Sequence, residues 1–118
     1  MTANDIITKC DRIKPNGYSY LQKQSWLKKA ESDIIEYVNM YSEAKTPCMF
    51  DSSDNPELYL DDTHENIYLY YLISMIDLSN QEYDLYNNSN AFFNHEFSRW
   101  KRNFRQRTLP ECKISVKV

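Results

Sequence analysis

The chain has 118 residues, a net charge of −3, 42% apolar residues and 26% charged residues, which suits one packed domain and excludes wholesale disorder. It holds a single glycine, Gly17, and four prolines. That scarcity excludes a sandwich or barrel of many short strands, whose corners need turn residues, and it leaves no Gly-rich phosphate loop.

Thr2 is placed to cap a first helix, with Asp5 three positions on as the other half of a capping box. Ile6, Ile7, Cys10 and Ile13 then recur at helical spacing. Lys14-Pro15-Asn16-Gly17 stops this N-terminal helix, which occupies segment 1–17. A second helix is expected from Ser19 or Ser25 to Ala44. Its stripe is Leu27, Ala30, Ile34, Tyr37 or Val38, and Tyr41, with Lys28, Lys29, Glu31, Asp33 and Glu36 mostly off it. Thr46-Pro47 ends it.

Residues 46–62 (TPCMFDSSDNPELYLDD) form an extended crossover, since two prolines, two serines and four aspartates disfavour a helix. Cys48, Met49, Phe50, Leu58, Tyr59 and Leu60 make it too apolar for a solvated linker. A connection of this length is commonly functional or packed, and Leu58-Tyr59-Leu60 reads as a short strand or strap.

Asp62 or Thr63 caps a third helix reaching Leu78, with Glu65 in its first turn. Ile67 to Ile76 (IYLYYLISMI) leaves little polar surface, so this helix is buried on most sides, with part of it expected to face another subunit. Ser79 and Glu82 form the sequence pattern of a capping box for a last helix that reaches Arg107. Tyr86, Phe93 and Trp100 are spaced by seven, as are Asn90, Phe97 and Phe104 one strip over. Beyond Pro110, the alternation of Ile114, Val116 and Val118 predicts a strand within a C-terminal arm, 108–118. A lone strand has no partner in its own chain and tends to add to another sheet edge.

The expected fold is therefore all-α: one domain over 1–118, a small bundle of about four helices with a long bent acidic crossover and a C-terminal extended tail. Ile34, Tyr41, Leu72, Phe93, Phe97 and Trp100 are the core candidates.

Charge is unevenly dealt. Residues 46–98 hold ten Asp or Glu and no Lys or Arg, whereas residues 99–118 hold seven Lys or Arg and one Glu. Basic residues at a helix C-terminus suit its dipole. The same split also suits an acidic face of one copy meeting a basic end of the next. Asp51, Asp54, Asp61 and Asp62, opposed to Arg99, Arg102, Arg105 and Arg107, are accordingly contact candidates, together with Ile114, Val116 and Val118.

Catalytic, cofactor and metal residues are not expected, and the chain reads as a non-enzyme. His64 and His95 are each followed by Glu but lie outside any H-E-x-x-H pattern. The span Asp51 to Asp62 has calcium-loop length, yet Pro56 stands where the turn glycine belongs. Cys10, Cys48 and Cys112 are widely spaced, without a CxxC pair, which predicts reduced thiols. Cys10 reads as a small buried hydrophobe. The longest apolar run is about half of what a bilayer-spanning helix needs, so no membrane partner is expected. No signal-peptide pattern is present at Met1 to Arg12, which with the thiols predicts a cytosolic setting.

Ala30-Glu31, Ile34-Ile35 and Tyr37-Val38-Asn39, then Pro47, Asn55-Pro56 and Leu58 to Leu60, then Glu65 to Asp77, and finally Tyr86-Asn87-Asn88 and Phe92-Phe93-Asn94 follow one another over Leu27 to Pro110. Together they resemble the small head–tail connector (neck adaptor) proteins of tailed bacteriophages. That resemblance implies a helical bundle with an extended arm. It implies a ring, commonly a dodecamer, beneath the portal protein, which extends the channel for double-stranded DNA and receives a tail or stopper protein. It places the protein in the virion neck after assembly in the host cytoplasm.

Two other readings stay open on the residues. One is a small acidic phage or host regulatory protein, an inhibitor acting by protein–protein binding with its acidic middle mimicking phosphate. The other is a nucleic-acid-binding helical domain using Arg99 to Arg107.

Overall fold

The computed structural model describes residues 1–42, 45–51, 53 and 55–108. Among them are four α-helices and no strand: α1 (Ala3–Ile13), α2 (Tyr20–Met40), α3 (Glu65–Ser79) and α4 (Tyr83–Thr108). Single 3-10 turns lie at Met49–Asp51 and Asp62–His64. The predicted C-terminal strand and arm lie outside the described residues, apart from Thr108 in α4.

The capping box at Thr2 forms as expected. Asp5 N–H donates to Thr2 Oγ1 (3.3 Å), and Thr2 N–H donates to Asp5 Oδ2 (3.0 Å). Ser19 caps α2 by accepting from Gln22 N–H (3.1 Å). Helix α2 ends at Met40, four residues short of the expected Ala44. Beyond it, the Asn39 side chain accepts from Thr46 N–H (2.8 Å) and donates to Thr46 C=O (3.0 Å), so one amide clamps the departing chain as a neighbouring strand would.

The predicted box at Ser79 and Glu82 does not form. Ser79 is instead the last residue of α3. The helix closes by a Schellman turn: Gln81 N–H donates to Leu78 C=O (3.0 Å) and Glu82 N–H to Asp77 C=O (2.9 Å). Gln81 occupies the left-handed position, at φ 62°, where glycine is the usual residue. The turn is short, so α3 and α4 pack as an antiparallel pair.

Helix α3 is the centre of the bundle. It packs against α4 on one side and against α1 and α2 on the other. Ile67, Tyr68, Leu69, Leu72 and Ile76 are buried on it. Ile6, Ile7, Cys10, Leu27, Ala30, Ile34 and Val38 meet them from α1 and α2. Of the core candidates, Ile34, Leu72 and Trp100 are buried, while Phe93 and Phe97 are half-buried against the same core. Tyr41 is half-buried, with its ring against Tyr37 and Phe104. The partial exposure has one cause: α4 lies on the bundle through one face, and the rings at the margin of that face keep an edge in water.

Asn55 to Leu60 is a strap laid across the amino end of α1. Ala3 N–H donates to Pro56 C=O and Leu58 N–H to Met1 C=O, both at 3.0 Å, which makes an antiparallel bridge between Thr2 and Glu57. Leu58 and Leu60 turn into the core and Tyr59 turns out. This is the alternation of an extended segment, so the strap reading holds for Leu58-Tyr59-Leu60.

Candidate interaction surfaces

The acidic crossover does not form one acidic face. Asp61 lies beside Tyr59, Leu60 and His64 on one wall of a groove whose other wall is Trp100, Phe104 and Arg107. Its carboxylate accepts from Thr63 Oγ1 (2.6 Å) and lies 3.0 Å from His64 Nδ1. The Thr63 and His64 contacts hold the Asp61 carboxyl below its ordinary pKa. Asp62 faces the opposite way, 3.5 Å from the Met1 amino group, which also pairs with Glu57 at 2.6 Å. Glu65 pairs with Lys9. Asp54 lies outside the described residues, and so does the side chain of Asp51. Ile114, Val116 and Val118 are likewise outside them.

The basic candidates do gather, over the last turns of α4. Arg99 pairs with Glu96 (2.7 Å), and Arg105 Nη1 donates to Tyr37 Oη (2.8 Å). Lys101, half-buried between them, lies over the Phe97 ring with its ammonium 4.5 Å from the centroid. Arg102 and Arg107 make no ion pair among the described residues. Beneath this end runs an aromatic ladder: Phe93, Phe97, Trp100 and Phe104 are spaced 5.3–5.9 Å apart, centroid to centroid, along α4. Tyr37 closes on Trp100 at 5.8 Å. The expected seam therefore forms, as packing rather than as an open stacking platform.

The other end of α4 has opposite character. Glu82 and Asp84 are exposed there beside Leu78, Tyr83 (58% exposed) and Leu85 (46% exposed). Lys14 reaches this corner, 2.7 Å from Asp77 and 3.3 Å from Glu82. With 26 residues, α4 separates its two ends by about 39 Å.

Two buried polar systems hold these surfaces in place, and the sequence pattern passed over both. Tyr68 Oη donates to Glu31 Oε1 (2.6 Å) while Tyr59 N–H donates to Glu31 Oε2 (2.8 Å), and Leu60 N–H donates to Tyr68 Oη (3.2 Å). Burial pushes the Glu31 carboxyl up, and these two hydrogen bonds pull against it. Burial beside Glu31 also raises the Tyr68 phenol far above its ordinary value. In the second system, Ser89 Oγ donates to Asp77 Oδ2 (2.8 Å), and the Lys14 ammonium lies against Oδ1. The expectation that Glu31 lies mostly off the apolar stripe is corrected: it is buried, being four residues after Leu27 and three before Ile34 and so inside the arc of that stripe.

Burial raises the Cys10 thiol to about 11, so it is an inert packing group. Among the described residues no three His, Cys, Asp or Glu side chains gather to hold a metal ion, and no helix is long and apolar enough to cross a membrane. Compared with protein-family models, with curated proteins and with solved structures, the chain finds no match.

Proposed function

We propose that this chain is a structural, non-catalytic adaptor: a head–tail connector of a tailed bacteriophage, assembled in the host cytoplasm into a ring beneath the portal and retained in the virion neck. The observation that carries the reading is the polarity of α4. An acidic corner with exposed Tyr83 and Leu85 stands about 39 Å from an end rich in arginine. That distance is several Debye lengths at physiological salt, so the two ends of one copy cannot neutralise each other. They can do so between copies, in a head-to-tail contact that closes into a ring if the rotation permits.

The alternative, an acidic inhibitor that mimics phosphate, is less well served. Glu57, Asp62 and Glu65 are matched by the Met1 amino group and Lys9, which reduces the negative field such mimicry needs. The portal contact is assigned to segment 113–118, by strand addition.

Electron microscopy of the purified protein and of capsids carrying it tests the proposal. The expected result is a closed ring around an axial channel. A species that stays monomeric at all concentrations and does not join capsids would overturn it. Removal of 113–118 should leave a folded protein that no longer joins capsids, and normal joining would remove the portal role of that segment.

A further inference from the structure

We infer that the outward face of α4 is a docking surface for duplex nucleic acid, contacted mainly through its phosphates. Asn88, Ala91, His95, Ser98, Arg102 and Arg105 step by three and four along the helix and are all exposed. They form one straight stripe opposite the face that packs on α3. Arg99 flanks it. Between Leu85 and Arg107 the helix carries a single carboxylate, Glu96, and that one is half-buried and bridged to Arg99. From Asn88 onward the stripe therefore presents guanidinium, imidazole, amide, hydroxyl and methyl groups with no acid among them; the exposed Asp84 stands one turn before it.

The composition selects the partner. A membrane surface would require large apolar side chains along one face of the helix. A protein interface would be centred on aromatic or aliphatic anchors. Neither occurs on this stripe; Phe92, at its margin, is stacked on Tyr70 at 5.2 Å and is 56% exposed. Arginines pair with phosphate and with guanine edges, and amides pair with adenine edges. A helix about 10–12 Å across fits a major groove about 12 Å wide. Leu85 to Arg107 carry a net charge of +4 and the rest of the chain −7, so an approaching polyanion is steered to this face. Arg99, Arg102 and Arg105 also belong to the arginine-rich end proposed above for the copy-to-copy contact; the two uses of these side chains are alternatives, and the assembly readout of the triple variant separates them.

The test is fluorescence anisotropy with a labelled mixed-sequence 20-base-pair DNA duplex, titrated with the full chain across a salt series. Binding should be tight at low salt and weaken steeply, with a log–log slope near −2.7, or about −0.9 for each of three arginine–phosphate contacts. R99Q/R102Q/R105Q should lower the affinity at least tenfold and flatten the slope by two to three. R12Q/K28Q/K29Q, which removes equal charge from other helices, should lower it less than threefold. Circular dichroism confirms that both variants are folded. No retention of the duplex by the unaltered chain at low salt overturns the inference, as does equal loss from both triple variants. Loss of self-assembly in R99Q/R102Q/R105Q with duplex binding unchanged also overturns it, and assigns the face to a neighbouring copy.

Discussion

Tyr68 and Glu31, 37 positions apart, share a hydrogen bond of 2.6 Å inside the core. Through that pair the strap is fastened to both α2 and α3. Tyr68→Phe would leave Glu31 Oε1 and the Leu60 N–H without this partner. Because an unmade hydrogen bond on a buried group costs about 1–3 kcal/mol, the variant should lose that much stability in urea unfolding. Hydrogen exchange should accelerate first at the Tyr59 and Leu60 amides. Equal protection of those amides in both proteins would show that the strap is held by its apolar contacts alone.

The same carboxylate makes stability depend on pH with a definite sign. Burial raises the Glu31 pKa above its ordinary 4.5, so the folded state holds this proton more tightly than the unfolded state. Its contribution to stability is therefore greatest below 4.5 and declines as pH rises through the folded value. Glu31→Gln removes that dependence, and its stability deficit against the parent should grow as pH falls toward 4.5. The exposed acids Asp5, Asp61 and Glu82, whose values are lowered, act oppositely: their contribution is present above the ordinary range and lost on acidification through the lowered values. Denaturant midpoints of both proteins between pH 4.5 and 8 isolate the Glu31 component, and a deficit that does not change with pH would refute its sign.

At the α3–α4 corner, Lys14→Ala should cost about 2 kcal/mol. A broken buried pair costs about 3–5 kcal/mol and a surface pair about 0–1 kcal/mol. Here Asp77 is 3% exposed but Lys14 is 23% exposed, which places the pair between. Glu82→Gln, on the solvent side of the same lysine, should cost under about 1 kcal/mol. A double-mutant cycle of Lys14 and Asp77 gives the coupling directly, and a near-zero value would show the pair to be incidental.

Gln81 sits in the left-handed region at φ 62°, a conformation that costs about 1–2 kcal/mol for a residue with a Cβ. Gln81→Gly relieves that cost and adds unfolded-state freedom worth about 0.5–1 kcal/mol. The net expectation is a gain of up to about 1 kcal/mol, seen as a thermal midpoint a few degrees higher. A lower midpoint would mean that the glutamine side chain does more at the turn than fill it.

Trp100 is 2% exposed and stacks on both Phe97 and Phe104. Trp100→Ala should cost about 3–5 kcal/mol and loosen the end of α2 that carries Tyr37. Trp100→Phe should recover much of that loss, because the ladder needs a ring more than an indole. Unfolding curves for the two variants, followed by circular dichroism, check this ordering.

The four helices were legible because each carries a strong local signal. The Thr2 cap, the Pro15 break and the three-and-four stripes need no tertiary information. The strap was legible in Leu58 and Leu60, which are too apolar for solvent. The turn at Ser79 misled because a Ser-x-x-Glu spacing resembles a cap, while the chain instead uses the backbone carbonyls of Asp77 and Leu78. In sequence, Glu31 counts with the polar residues off the stripe and Asp77 has no role, because charge is normally assigned to solvent, and only the fold brings Tyr68, Ser89 and Lys14 to meet them. The acidic crossover looked like one surface in composition. In three dimensions, Asp61 and Asp62, just past the strap, point to different sides of the molecule.

The bridge between Thr2 and Glu57 joins residues 55 apart, whereas α3 and α4 meet across a short turn. Helical hairpins of neighbouring elements close in microseconds, but a long loop must first bear the entropy of bringing its ends together. The α3–α4 pair is thus the natural nucleus, and α1, although earlier in synthesis than everything it touches, is the last to settle. Until then the apolar underside of α3 stands open, so the interval between making α1 and seating it is when this chain is most vulnerable to proteases and to sticking to its own kind.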